Sequence, residues 1–279
     1  MSENIEITTK ECSGCGVEFD SRTFIVCGVR MNFDKGYCPA CREQRLAEYE
    51  EREQVSRLAS IATKRREWRY SCGIPPLFMT KEFGNFNQDS QTQAYNKCVK
   101  YAEDFPLDKV SGYPSLLLFS EKVWGIGKTH LVASIAHRIL NRWGGEDTIC
   151  PVLFITEPDL FRRIQATYNI PQEDRVWHET EDDVFNQLGR VALLVLDDIG
   201  KTERADSRFV QRTLFSIIDR RTRLESTMVL TTNLNPQQLN TYLGGDKSNE
   251  ATYDRIVEMC QGKFIRMSGE SYRRRKVAE

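Results

Sequence analysis

The chain has 279 residues, of which 28% are charged, with 39 Lys and Arg against 40 Asp and Glu. That length supports one large domain and a small one, and a net charge of −1 excludes a global field for a polyanion, so any basic surface must be local. No apolar run approaches the roughly 20 residues that cross a bilayer, the longest being VALLVL at 191–196, and the polar start MSENIEITTKECSGC lacks an apolar signal core; a soluble intracellular protein is expected.

Residues 1–42 hold five of the nine cysteines and show little apolar periodicity. Residues 42–70, REQRLAEYEEREQVSRLASIATKRREWRY, have no Gly or Pro and are rich in Glu, Arg, Ala and Leu. They predict a long, mostly solvated helix with a basic end. The prolines of CGIPPLF at 72–78 stop it. QTQAYNKCVKYAEDF, 91–105, reads as the next helix.

From residue 115 the pattern alternates. Strands are expected at SLLLF (115–119), PVLFIT (151–156), VALLVLDDIG (191–200) and TMVLTTN (227–233). Helices are expected at 128–143, 157–168, 181–190 and 207–224. Continuous apolar strands separated by helical patterns predict an α/β fold, a parallel sheet covered on both faces. There are no internal repeats and no low-complexity linker. The expected organisation is a small module at 1–42, a linker helix at 43–71 and one large domain at 72–279.

Cys12 and Cys15 (CSGC) and Cys38 and Cys41 (CPAC) form two CxxC pairs separated by 22 residues. Each CxxC turn supplies two thiolates, and two such knuckles close a tetrahedral zinc site with no open position, which is a structural site. The alternative is a pair of incidental dithiols. No His precedes His130, so histidine ligation is excluded for this module. Cys27 is a fifth candidate, read as a buried unliganded cysteine; Cys72, Cys98, Cys150 and Cys260 are scattered and read as core or surface residues.

SEKVWGIGKTHL, 120–131, resembles a phosphate-binding GxxxxGK[ST] loop in which Lys122 replaces the first glycine. Gly125, Ile126, Gly127 and His130 would bring backbone to a triphosphate. Lys128 would reach the β and γ phosphates, and Thr129 would hold Mg²⁺. The helix that follows points its N-terminus at the anion. Lys122 either faces the nucleotide or is solvated, and a lengthened loop turns without a glycine there. Downstream, Asp197 ends a buried strand, placed to complete the Mg²⁺ shell, and Asp198 is placed to orient or activate water. Asn233, at the end of MVLTTN, either touches that water or caps the NPQQL segment.

The set GxGKTHL, LLVLDDIG, TTNL and a terminal SYRR, with GIPPLFMTKEFGNF ahead of it, resembles the DnaC/IstB branch of the AAA+ ATPases over roughly residues 72–275. That branch comprises bacterial and phage replicative helicase loaders and transposition helper ATPases. The resemblance implies an AAA+ fold and assigns Lys128 and Thr129 to Walker A, Asp197 and Asp198 to Walker B, and Asn233 to sensor 1. Arg255 matches an arginine finger that completes a neighbour's ATP site, so hydrolysis is expected only in a self-associated multimer. Arg273, beside Arg274 and Arg275, lies near a sensor 2-like position. The N-terminal module resembles the loader side, where such a segment docks a replicative helicase. Single-stranded DNA is the implied second partner, with Lys64, Arg65, Arg66 and Arg69, and Arg220, Arg221 and Arg223, as phosphate-neutralising candidates. Trp68 and Tyr70 are expected to pack in a core rather than stack on bases. The expected location is the cytoplasm of a bacterial host cell. The alternatives are a transposition helper acting with a transposase on duplex DNA, a non-catalytic nucleotide-gated adaptor, and a zinc-ribbon nucleic-acid binder with a regulatory loop.

Overall fold

A computed structural model describes residues 4–26, 29–89, 91–107, 111–121, 123–144, 149–168, 170–171, 177–202, 207–245 and 251–272. Cys27, Lys122, Arg273, Arg274 and Arg275 lie outside the described residues. The chain divides into two units, Met1–Ala62 and Thr63–Glu279.

Unit 1 holds a three-stranded antiparallel sheet in the order β1 (Asn4–Glu11), β2 (Glu18–Val26), β3 (Val29–Asn32). Sequence reasoning had no strands here, and burial explains why. Ile5, Ile7, Val29 and Met31 are exposed, Ile7 at 61%, so no apolar face is paired with a core. Among the described residues of this unit the buried side chains are Cys12, Ser21, Asp34 and Cys38. The expected long helix is present as α1 (Pro39–Ser71). Pro39 starts it, where a missing N–H is harmless. Up to residue 60 every α1 residue but Cys41 is exposed, as its composition predicted.

The end of α1 is set by a close approach. The Phe154 N–H donates to the Cys72 carbonyl at 2.6 Å. Gly73 follows with φ +89°, and a Cβ there would lie 2.2 Å from the Phe154 carbonyl oxygen. Only glycine fits.

Unit 2 is built on five parallel strands: β4 (Leu116–Phe119), β5 (Val152–Thr156), β6 (Leu193–Ile199), β7 (Thr227–Thr232) and β8 (Phe264–Arg266), in the order β5-β6-β7-β4-β8. Its helices are α2 (Thr92–Asp104), α3 (Lys128–Arg142), α4 (Glu157–Ala166), α5 (Glu181–Arg190), α6 (Ser207–Arg223), α7 (Pro236–Tyr242) and α8 (Ala251–Cys260). Alternate strand residues feed two cores. Leu116, Leu118, Phe154, Val195 and Val229 join α2 and α3 in one. Leu117, Leu153, Leu194, Leu196 and Leu230 join α4, α5, α6 and α8 in the other. Each fully buried aliphatic side chain contributes about 1.5–3 kcal/mol. The expected parallel sheet covered on both faces is therefore what forms. The three-residue β8 was not anticipated; it is too short to carry a pattern.

Helix starts follow local chemistry. Thr156 and Thr180 cap α4 and α5, and Asn235 caps α7 by accepting from the Gln238 N–H at 2.8 Å. The residue capping NPQQL is thus Asn235, not Asn233.

Three residues named for DNA contact or core packing are corrected here. Arg221 is fully buried and donates to the carbonyls of Leu188 (2.6 Å), Val191 (3.0 Å) and Thr227 (2.6 Å). It satisfies orphan carbonyls at the C-terminus of α5 and the carbonyl that starts β7, a structural task. Arg65 donates to the Trp143 carbonyl at 2.8 Å, tying the end of α1 to the end of α3. Trp68 is buried as expected, but Tyr70 is 74% exposed.

Candidate nucleotide site

The loop 120–127 leaves β4 and enters α3 at Gly127, whose φ is +105°. A Cβ at Gly127 would meet the Phe86 ring at 2.7 Å, so this position fits no side chain. No side chain caps α3, which leaves its first backbone N–H groups for a ligand. Gly125, at φ +74°, accepts from the Tyr272 N–H at 3.0 Å.

Lys128 is 6% exposed. Its Nζ donates to Ser120 Oγ and to Asn233 Oδ1, both at 2.6 Å. Burial pulls its pKa down to about 8, with Asp198 and Asp197 opposing that shift. These partners are neutral, so among the described residues no carboxylate contacts the ammonium, which suits it to an anion. Thr129 Oγ1 donates to Asp197 Oδ2 at 3.0 Å, and Thr231 Oγ1 to Asp197 Oδ1 at 2.6 Å. Asp197 is buried, which raises its pKa to about 6; the neighbouring Asp198 charge pushes the same way. A hydroxyl and a carboxylate in contact on adjoining elements form an oxygen donor pair of the kind Mg²⁺ takes.

Asp198 has φ +64°, a left-handed conformation that costs a typical residue roughly 1–2 kcal/mol. Its N–H donates to Thr231 Oγ1 at 2.8 Å. Its Oδ1 accepts from Asn233 Nδ2 at 3.2 Å and its Oδ2 is paired with Lys201. Asn233 therefore bridges Lys128 and Asp198. A cavity of about 270 Å³ is lined by Gly125 to His130 together with Asp198, Lys201 and Asn233, and by Phe78, Phe86 and Trp124 on an apolar side. His130 Nε2 lies 3.0 Å from the Glu82 carbonyl, so that nitrogen carries the proton and donates; burial lowers the ring's pKa.

Five residues from three elements thus come together: Lys128 and Thr129 of α3, Asp197 and Asp198 of β6, and Asn233 just after β7. Arg255 does not join them. It pairs with Asp219 at 3.1 Å, donates to the Ala251 carbonyl at 2.9 Å, and its guanidinium lies 5.1 Å from the Phe215 ring centroid. Sequence reasoning missed Ser120, Thr231, Lys201 and Glu157. Ser120 and Thr231 flank motifs that were read, and their hydroxyls gave the only signal. Glu157 gave none: fully buried at the start of α4, it accepts from the N–H groups of Gly200, Lys201 and Thr202, from Thr202 Oγ1 and from Tyr242 Oη.

In unit 1 the Sγ atoms of Cys12, Cys15, Cys38 and Cys41 all lie within 4.8 Å of one another, with Cys15 and Cys38 at 3.7 Å. Tetrahedral zinc with bonds of about 2.3 Å needs sulfurs about 3.8 Å apart. The N–H groups of Cys38 (3.2 Å) and Gly14 (3.4 Å) point at Cys12 Sγ and pull its thiol down to about 6. Cys41, hydrogen-bonded to the sulfurs of Cys15 and Cys38, is pushed up to about 12. Four cysteine sulfurs this close together are a donor set that fits tetrahedral zinc.

Comparison with known proteins agrees with this geometry. The sequence model of the family described as IstB-like ATP binding protein matches residues 47–279. The replicative helicase loader DnaC of Escherichia coli K12 is 29% identical over 205 residues, 73% of each chain. The uncharacterized protein YdaV of the same strain is 30% identical over 201 residues, 72% of this chain and 71% of its own. A crystal structure of the DnaC helicase loader superposes with a TM-score of 0.52 over 70% of this chain and 100% of that one, at 18% identity, which bears on the fold. No helix among the described residues is long and apolar enough to cross a membrane. The parallel sheet and its glycine loop are those of an AAA+ domain, and the chain belongs to the IstB-like ATP-binding family.

Proposed function

We propose that this protein is an ATP-dependent helicase loader that binds a replicative hexameric helicase and single-stranded DNA and hydrolyses ATP during loading. The observation that carries the nucleotide part is the buried Lys128 ammonium, held by Ser120 and Asn233 at the mouth of α3 beside the Thr129–Asp197 pair. In this reading Gly125, Ile126, Gly127 and His130 offer backbone to the phosphates, and Lys128 neutralises the β and γ oxygens. Thr129 and Asp197 hold Mg²⁺, which when bound screens phosphate charge. Asp198 accepts the proton of the attacking water, and Asn233 fixes where that water sits. Arg255 supplies transition-state charge to a neighbouring copy, so turnover requires a multimer; Arg273 completes the site from its own chain.

The zinc module at 1–42, held by Cys12, Cys15, Cys38 and Cys41, docks the helicase, 43–71 is a linker helix, and 72–279 is the ATPase domain. Lys64 and Arg66 are retained as DNA-facing candidates; Arg69, like Arg65, is engaged within the domain, donating to the Met79 carbonyl at 3.1 Å and pairing with Glu82. The similarity to DnaC supports the loader reading, and the cytoplasm of a bacterial host cell is the expected location. The test is a pull-down with ATP and Mg²⁺ from host lysate, comparing intact bait with bait lacking 1–42. Recovery of a hexameric helicase by the intact bait alone supports the proposal. Recovery of a transposase instead moves the assignment to a transposition helper on duplex DNA. ATP turnover no greater than that of Asp198→Asn sinks the hydrolytic part.

A further inference from the structure

The carboxylate assigned above to activate water has both oxygens engaged. Asn233 donates to Oδ1 at 3.2 Å, and the Lys201 ammonium pairs with Oδ2. Lys201 lines the same cavity as Lys128 and Lys81, so among the described residues three lysines border the space where phosphates would lie. Only Lys128 is buried; the Lys201 side chain is 48% exposed. The placement of Lys201 is not accidental. Its backbone sits in a turn whose three successive N–H groups, Gly200 (3.2 Å), Lys201 (3.0 Å) and Thr202 (3.2 Å), converge on the buried Glu157 carboxylate. Among the described residues Glu157 contacts no cationic side chain; its oxygens are used by that turn and by Tyr242 Oη at 2.9 Å. Gly200, at φ +95°, packs where a Cβ would meet the Leu234 side chain at 2.6 Å, which fixes the turn from its other side.

We propose that Lys201 is a positioning residue that restrains Asp198: its ammonium occupies the carboxylate oxygen an attacking water would use, and turnover proceeds from molecules in which the pair has opened. The proposal rests on the ATPase reading. No covalent step is involved; one ionic contact exchanges for a hydrogen bond from water to the same oxygen. A partly exposed ion pair of this kind shifts an equilibrium by about two- to fivefold, so that is the size of the effect.

The experiment measures ATP turnover at saturating Mg-ATP, and affinity by displacement of a fluorescent ATP analogue, for the full chain and for Lys201→Met, Lys201→Arg and Asp198→Asn. Lys201→Met is expected to turn over about two- to fivefold faster with affinity within about twofold of the parent, while Lys201→Arg, which keeps the cation, stays at the parent rate. A Lys201→Met rate at or below the parent's overturns the restraint. If its affinity falls as well, Lys201 belongs to the phosphates and the proposal is equally lost. A parent chain no faster than Asp198→Asn removes the ATPase reading itself, and the restraint goes with it; measurable parent turnover with no gain in Lys201→Met removes only the restraint.

Discussion

The two units solve the same problem by opposite means. Unit 2 buries leucines, valines and isoleucines from both faces of β4 to β7, and its two cores contain no residue earlier than Trp68. Among its described residues unit 1 buries two cysteines, a serine and an aspartate, and leaves Ile5 and Ile7 of its first strand in water. A three-stranded sheet with no apolar face covered is marginal on its own. The difference teaches that the second unit's order rests on area removed from water, whereas the first has its four clustered thiols, the proposed zinc site, in place of such a core.

Zinc removal should break this comparison most sharply. Structural zinc contributes on the order of 10–16 kcal/mol of apparent folding free energy. A strong chelator, or Cys38→Ser, should abolish amide protection in β1 to β3 while leaving β4 to β7 protected, as hydrogen exchange would show. Retained protection in β1 to β3 with no metal bound would refute the zinc assignment. Next in size is a cavity in the other unit. Leu118→Ala removes a fully buried side chain and should cost about 2–5 kcal/mol, read as a lower denaturation midpoint for unit 2 with unchanged zinc content. Arg221→Met should cost a similar amount, because three carbonyls would lose a buried donor; a neutral outcome with weakened DNA binding would return Arg221 to the surface set.

The smallest effect concerns Asp197. Its folded pKa is raised to about 6, above the unfolded value of about 3.9. The folded state then holds the extra proton between about pH 4 and pH 6, so stability falls as pH rises through that window and stays at the lower level above it. Asp197→Asn should flatten the pH dependence of thermal stability there and be the more stable form at pH 7, while Mg²⁺-dependent nucleotide affinity is lost. An unchanged pH profile would show that burial does not set this carboxyl's charge.

Legibility followed burial. The strands at 115–119, 151–156, 191–200 and 227–233 announced themselves because both faces are covered, which leaves an unbroken apolar run. Gly125, Gly127, Lys128, Thr129, Asp197 and Asp198 were readable because backbone turns and phosphate chemistry permit few residue types there. The sheet of unit 1 was not readable, since exposed Ile5 and Ile7 carry no inside and outside. Arg221 was misread because a guanidinium is normally solvated and only the fold shows which carbonyls it reaches. Lys201 and Glu157 were invisible for a different reason: one acts on a carboxylate three residues earlier, the other on a turn more than forty residues later.

The hydrogen bond from the Tyr272 N–H to the Gly125 carbonyl, together with the pairing of β8 on β4, has a bearing on synthesis. The phosphate loop is held on one side by a segment 147 residues further along the chain. At about 5–20 residues per second, translation reaches that segment roughly 7–30 s after the loop has been made. A nascent chain therefore carries Lys128 and its glycines well before the strap that steadies them, and a settled phosphate loop has to wait for residues made that much later.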